Sequence, residues 1–168
     1  MASELFRAEA RPFGVAVEVE SFGLLDLDSS PALPEAVKLG AGLGVDLSSH
    51  RSRVIRPGVL GHADLVVGFE RAHVVTAVVD AGARREVTFT LPELVTLLGE
   101  VARPTKPDSL AAAHEAIAAA SSARAAGHGF GEVPELADPL GRPWRTQEEL
   151  ATRLSELTRT LVRRLFAV

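Results

Sequence analysis

Three side chains that can carry a proton stand near the ends of predicted elements: His50, Glu70 and Asp138. Asp138 precedes Pro139 in a Gly- and Pro-rich stretch, where an Asp-Pro pair is by itself typical of a turn. Glu70 follows an apolar run, at the edge where α/β sheets place their sites, although a carboxylate there also stabilises a helix start. Without further context, His50 is a partly buried loop histidine. At each position a structural interpretation stands beside a possible role in a site, and these residues alone do not assign the chemistry.

Two residue types that often carry such chemistry are missing, because the sequence has no cysteine and no tyrosine. It therefore has no disulfide, no thiolate metal site and no cysteine nucleophile. Of its 18 basic residues only Lys38 and Lys106 are lysines, a bias that indicates GC-rich coding rather than phosphate recognition. Arg51 and Arg53 have the charge to bind phosphate, but their pattern favours a solvated, salt-bridged face. We expect no metal and no cofactor.

The composition is that of an ordinary globular protein. The chain has 168 residues, 46% of them apolar and 24% charged, which predicts a single domain over 1–168. A net charge of −4 argues against a nucleic-acid binder. No apolar run approaches the roughly 18–20 residues of a membrane span, and no signal segment opens the chain. We expect a cytoplasmic protein that binds neither nucleic acid nor membrane.

The hydrophobic periodicity predicts helices that alternate with strands. The predicted strands are Val15–Glu20, Ala63–Phe69 and Glu86–Thr90. The predicted helices are Met1–Ala10, 31–43, Glu70–Val79, Leu91–Val101, 108–126 and a last one that begins with a capping box at Thr146 and ends near Phe166. This alternation predicts the α/β class, with a mainly parallel sheet flanked by helices in three layers.

The predicted sheet lacks one element that such folds normally have. A helix that covers a parallel sheet usually follows the strand from which it crosses over, whereas the first helix here has no strand before it. We therefore expect a sheet without its first strand and a chain that begins late in its domain.

Five short segments are informative in their order along the chain. They are Met1–Arg7, Glu20–Gly23, Val45–Arg53, Ala63–Glu70 and the pair Asp138-Pro139. Together they resemble the low-molecular-weight protein-tyrosine phosphatase family. The resemblance covers nearly the whole chain apart from 103–132, which is interpreted as a helical insertion.

In that family a Cys-x5-Arg-Ser-Pro loop separates the first strand from the first helix. Its thiolate attacks phosphorus, while backbone N–H groups and the arginine hold the phosphoryl oxygens. The family's first helix follows this loop directly and is similar to Met1–Arg7. The resemblance thus implies that the chain starts just after the loop, either through a start set at an internal methionine or in a truncated form. The strand before this loop is central in the family's sheet. Without it, we expect the chain to be unstable or to aggregate unless a partner supplies a strand.

The resemblance also implies roles for residues that the chain retains. Asp138 matches the family's general acid, which protonates the departing phenolate and later activates water. Ser21 and His50 match polar residues that brace the phosphate loop, and Glu70 matches an acidic position of the site. Phe22 stands where a small residue is common, so it narrows or replaces the wall for the phenyl ring.

Two functions follow from these observations. The first is a metal-free protein-tyrosine phosphatase acting on phosphotyrosine in a protein substrate, inactive as written because no side chain replaces the cysteine. The second is a non-catalytic phosphatase-like protein that binds or regulates another chain. Arsenate reduction on the same fold fits less well, because it requires several cysteines.

Overall fold

The structure is a computed structural model that describes residues 1–102, 109–128 and 133–166. Within these ranges the helices are α1 (Ala2–Ala10), α2 (Pro34–Gly42), α3 (Arg71–Val79), α4 (Leu91–Glu100), α5 (Ser109–Ala125) and α6 (Trp144–Phe166). The strands are β1 (Val66–Gly68) and β2 (Thr88–Thr90), and short 3₁₀ helices occupy Arg11–Phe13 and Arg85–Val87. None of the described helices combines the length and the apolar character that crossing a membrane requires.

The chain divides into two compact units. Unit 1 comprises Met1–Ile55 and Asp138–Arg159, and unit 2 comprises Arg56–Ala137 and Thr160–Val168. Unit 1 therefore contains α1, α2 and the first part of α6. Unit 2 contains both strands together with α3, α4 and α5.

The sheet of unit 2 is parallel. Strands β1 and β2 pair with Val66 opposite Thr88, and α3 connects them along the chain. Phe89 in the centre of β2 has no exposed surface. Thr90 then caps α4, because its hydroxyl accepts the Glu93 N–H at 3.3 Å while the Glu93 carboxylate accepts the Thr90 N–H at 3.1 Å. The predicted α/β class, with a parallel sheet flanked by helices, is confirmed.

Helix α5 packs against α4 and against the 3₁₀ helix that precedes β2. Its buried face consists mainly of small side chains: Ala112, Ala113, Ala116, Ile117 and Ala120. The helix predicted over 108–126 is present as Ser109–Ala125. The remainder of the predicted insertion, 103–108 and 129–132, lies outside the described residues, and the insertion itself stays a prediction.

The regular elements of unit 1 are helices. Helix α1 buries Leu5 and Ala10, and the Glu9 carboxylate accepts a hydrogen bond from Arg159 Nε of α6 at 2.9 Å. Lys38 of α2 places its ammonium 4.6 Å from the ring centre of Trp144 at the start of α6. These two polar contacts link both short helices of the unit to α6.

The strand predicted at Val15–Glu20 is wrong, because this segment forms no ladder. Its valines are nevertheless half-buried and alternate with the exposed residues Ala16, Glu18 and Glu20, as the sequence pattern requires. No backbone-to-backbone hydrogen bond joins the segment to another described residue. A strand needs a neighbour to accept and donate its hydrogen bonds, and alternation of apolar residues supplies only the face to be buried. The sheet described therefore has two strands where three were expected.

Both remaining strands are shorter than predicted. Strand β2 begins only at Thr88 because the preceding residues form a 3₁₀ helix, and the ladder with β1 accordingly begins at Val66. At the other end, the Phe69 carbonyl accepts the Leu136 N–H at 3.1 Å instead of continuing the ladder.

The start of the last helix was also predicted wrongly. Helix α6 begins at Trp144, so Thr146 lies inside it and does not cap it. The first turn forms because the Gln147 N–H donates to the Pro143 carbonyl at 3.1 Å. A proline just before a helix is compatible with this geometry, because its fixed φ suits the first turn.

Candidate functional site

Asp138 lies in an exposed turn of unit 1. Its carboxylate Oδ1 accepts the Leu140 N–H at 2.8 Å, and Gly141 closes the turn with a φ of 73°. This is an Asx-turn, in which the side chain imitates a backbone carbonyl. The carboxylate is accessible to solvent, so the turn geometry and a role in proton transfer are compatible.

Phe22 lies in unit 1 beneath a cation. The Arg53 guanidinium stands 4.6 Å from the centre of the Phe22 ring, and Arg53 Nη1 also contacts Glu20 Oε1 at 2.7 Å. Ser21, between Glu20 and Phe22, is half-buried. Arg53 is therefore engaged by a carboxylate and a ring face, as expected for a solvated, salt-bridged side chain.

His50 is a half-buried residue of the loop between α2 and the sheet. Burial is the main cause that lowers the pKa of its imidazole, and the Met1 amino group, Arg51 and Arg53 act in the same direction. Glu4 opposes them by favouring the charged ring. The imidazole is consequently neutral at neutral pH and can both donate and accept a hydrogen bond.

Glu70 lies in unit 2, where it is the N-cap residue of α3. The Phe69 and Glu70 N–H groups both donate to Nδ1 of His73, at 3.2 and 3.3 Å. Because Nδ1 accepts these bonds, a neutral His73 ring carries its proton on Nε2. The sequence allowed Glu70 to be either a carboxylate of a site or a residue that stabilises a helix start. The observed geometry is that of a helix start.

The structure thus places Asp138, Ser21, Phe22 and His50 in unit 1 and Glu70 in unit 2. Sequence reasoning missed the partnership of Glu70 with His73, although an N-cap residue followed three positions later by a polar side chain is a recognisable helix signal. It also missed the close approach of His73 to the backbone of Gly68, where an added Cβ would stand 2.8 Å from the His73 Cβ.

The described residues contain no group of three His, Asp or Glu side chains close enough to hold a metal ion. Across the whole sequence there is also no cysteine. What unit 1 offers is an accessible carboxylate, a neutral imidazole and a ring covered by a guanidinium. These groups can move or hold protons and support a binding loop, but none is a thiolate nucleophile.

A parallel pair with a connecting helix and further helices around it is an architecture that many α/β enzymes share. The family model of the low molecular weight phosphotyrosine protein phosphatases matches residues 1–119. The chain therefore belongs to this family. Asp138 lies beyond the matched residues.

Solved structures of similar fold cover 98% of this chain. The low molecular weight protein tyrosine phosphatase from T. tengcongensis is 24% identical, with a TM-score of 0.69 over 88% of its chain. A YwlE mutant from Bacillus subtilis is 23% identical, with a TM-score of 0.67 over 87% of its chain. A YwlE arginine phosphatase mutant with a phosphorylated active site serine is 24% identical, with a TM-score of 0.70 over 85% of its chain. No curated protein sequence matches the chain significantly.

Proposed function

We propose that these 168 residues carry the acid-base part of a protein-tyrosine phosphatase site, with Asp138 as general acid, and that by themselves they do not hydrolyse phosphomonoesters. Membership of the phosphatase family, found over residues 1–119, is the observation that carries the proposed reaction class. The proposal that the chain is inactive rests on the absence of cysteine from the sequence, because the reaction needs a thiolate nucleophile. A phosphotyrosine protein is the proposed substrate of the complete site.

The chemistry assigned to Asp138 requires an accessible carboxyl group that can exchange protons with a leaving group and with water. A thiolate attacks phosphorus, the bond from phosphorus to the phenolic oxygen breaks, and Asp138 gives its proton to the departing oxygen. The resulting carboxylate then takes a proton from the water that hydrolyses the phosphocysteine. The exposed Asx-turn supports this role, because the bond from the Leu140 N–H uses Oδ1 and, within the described part of the chain, leaves the second carboxylate oxygen for the reacting group.

Ser21 and His50 are proposed to support the loop that holds the phosphoryl group. A neutral imidazole suits this task, since it donates from one nitrogen and accepts at the other without adding a charge. Phe22 is proposed to face the aromatic ring of the substrate, and Glu70 to act through the start of α3. Cytoplasmic location is part of the same proposal.

The first test is hydrolysis of para-nitrophenyl phosphate and of a phosphotyrosine peptide by the purified 168-residue chain. We expect no turnover above that of buffer. Turnover that is lost in Asp138→Ala would show that another side chain provides the nucleophile and would overturn the proposed inactivity. Because one similar structure is an arginine phosphatase, a phosphoarginine peptide belongs in the same assay. In a product that includes the cysteine loop, preference for this peptide over the phosphotyrosine peptide would overturn the substrate assignment.

The in-frame codons upstream of Met1 provide the second test. A Cys-x5-Arg-Ser-Pro stretch supports the enzyme, and an in-frame stop supports a binding protein. In a product that includes such a stretch, Asp138→Asn should slow phenyl phosphate hydrolysis by about 10²–10⁴-fold. The effect on para-nitrophenyl phosphate should be smaller, because its leaving group needs less protonation.

Asp46→Asn is the matched control for this experiment. Asp46 Oδ1 accepts the Ser48 N–H at 2.8 Å, so it forms the same kind of turn as Asp138 within the same unit. The Ser48 backbone N–H is the main cause that lowers the pKa of the Asp46 carboxyl. Equal rate losses in both variants, or equal losses with both leaving groups, would count against Asp138 as the acid.

A non-catalytic binding or regulatory protein is the second candidate. The segment Val15–Glu20 favours it, because its half-buried valines lie beside a backbone that has no ladder partner among the described residues. A segment with such an alternating face can accept a strand from another polypeptide. Slow amide exchange across the segment in the isolated chain would argue against this candidate, since it would show that these amides are already protected.

A further inference from the structure

Exposed leucines are concentrated in one loop of unit 1. Leu24, Leu25 and Leu27 are 43%, 64% and 54% exposed. We call the segment Leu24–Asp28 the leucine loop. A single exposed leucine needs no explanation, but contiguous apolar side chains on a polar surface commonly mark an interaction site.

The leucine loop is held at both ends. Before it, the Gly23 N–H donates to the Arg53 carbonyl at 2.8 Å, and the Gly23 carbonyl accepts the Ile55 N–H at 3.0 Å. After it, the Ser29 N–H donates to the Ser52 carbonyl at 2.8 Å, and the Ser52 hydroxyl contacts the Leu27 carbonyl. Its leucines are therefore presented by a tethered backbone, which reduces the entropy lost when a partner binds.

The backbone at the end of the loop is also in an uncommon conformation. Ser29 has a φ of 59°, which a residue with a side chain adopts only when its surroundings enforce it. The three hydrogen bonds that join Ser29 and Ser30 to Ser52 supply that enforcement. Local strain of this kind is compatible with a loop whose shape is maintained for recognition.

The charges of the loop indicate the chemistry of its partner. Asp26 and Asp28 alternate with the leucines, and both are exposed. The Asp28 carboxylate accepts the Val54 N–H at 3.4 Å, so it is bonded to the segment that holds the ends of the loop. Asp26 lies at the tip of the loop. An acidic and apolar tip is complementary to a basic and apolar segment, and it repels an anionic membrane surface.

We propose that the leucine loop is a docking surface for a basic, apolar segment of a partner protein. The leucines bury their exposed area against apolar side chains of the segment, and the two aspartates attract its cations and set its direction. A second copy of this chain is a poorer occupant, because the chain carries a net charge of −4. This proposal does not depend on the phosphatase function.

The test is titration of the full chain with a labelled peptide in which leucines alternate with arginines, followed by fluorescence anisotropy. A peptide with aspartates in place of the arginines is the charge control. We expect saturable binding of the basic peptide only, with an affinity that falls as the salt concentration rises. The double variant Leu25→Ser and Leu27→Ser should weaken binding at least about tenfold, because it removes the apolar contact.

The double variant Val75→Ser and Val79→Ser is the matched control. These α3 residues are 59% and 73% exposed, so the variant removes a comparable apolar area from another surface. Circular dichroism checks that both variants are folded before binding is compared. Unchanged binding in the control supports the proposal. Absence of saturable binding, equal losses in both double variants, or self-association abolished by the leucine substitutions would each overturn it.

Discussion

Replacing Arg124 by alanine should destabilise unit 2 by about 3 kcal/mol. The guanidinium donates from Nη1 to the Thr88 carbonyl at 2.8 Å and from Nη2 to the Arg85 carbonyl at 2.7 Å. It also lies 4.1 Å from the centre of the Phe89 ring, with 11% of its side chain exposed. Burial, followed by the charge of Arg85, lowers the pKa of this guanidinium, but an arginine remains a cation at neutral pH.

The magnitude follows from these contacts. A hydrogen bond from a charged donor contributes about 1.5–3 kcal/mol, and a cation–π contact about 0.5–2 kcal/mol. The contributions do not add in full, because they share one side chain and because water can reach the carbonyls once the side chain is removed. A loss of about 3 kcal/mol in a chain of this size lowers the Tm by about 6–12 °C. Arg124→Lys keeps a charge over Phe89 but loses the planar fork, so it should cost about 1–2 kcal/mol.

Urea unfolding followed by far-UV circular dichroism measures the free energy of unfolding of each variant. Arg145→Ala is the control, since Arg145 is 90% exposed and its ion-pair partner among the described residues is Glu149 on its own helix, at 3.1 Å. This control should change stability by less than about 0.5 kcal/mol. If Arg124→Ala is no more destabilising than Arg145→Ala, the guanidinium does not hold α5, and the alanine face alone accounts for its packing.

Two further predictions concern backbone approach and pH. Gly68→Ala should destabilise the protein by about 1–3 kcal/mol in thermal unfolding, because the new Cβ would stand 2.8 Å from the His73 Cβ. Gly99→Ala is the control and should be neutral or stabilising, because an added Cβ there meets open space. Equal effects of the two substitutions on stability would refute this reasoning. Because the folded-state pKa of His50 is lowered, the stability that its neutral form contributes is complete above pH about 6.5 and is lost as the pH falls through the folded-state value. The variant His50→Gln should reduce this pH dependence in urea unfolding, and an unchanged profile would contradict it.

Local periodicity was sufficient for most of the helices. The patterns at Met1–Ala10, Glu70–Val79 and Leu91–Val101 correspond to α1, α3 and α4 within one residue at each end. A helix closes its hydrogen bonds within its own segment, so the segment's sequence contains most of the information. The candidate site was harder to predict from local patterns. The sequence left the role of Glu70 undecided, and the hydrogen bond from its N–H to His73 in the structure identified it as part of a helix start.

The α/β class, the phosphatase family and the lack of a cysteine nucleophile could all be read from the amino-acid order. The folded chain was needed to show that Val15–Glu20 has an alternating face but no ladder with any other part of the chain that the structure describes, because strand pairing depends on segments distant in sequence. It was also needed to find the two backbone carbonyls that accept hydrogen bonds from Arg124, which lie 36 and 39 positions away along the chain. Contacts within a helical turn follow from neighbouring residues, whereas contacts over such separations arise only when the chain folds back on itself.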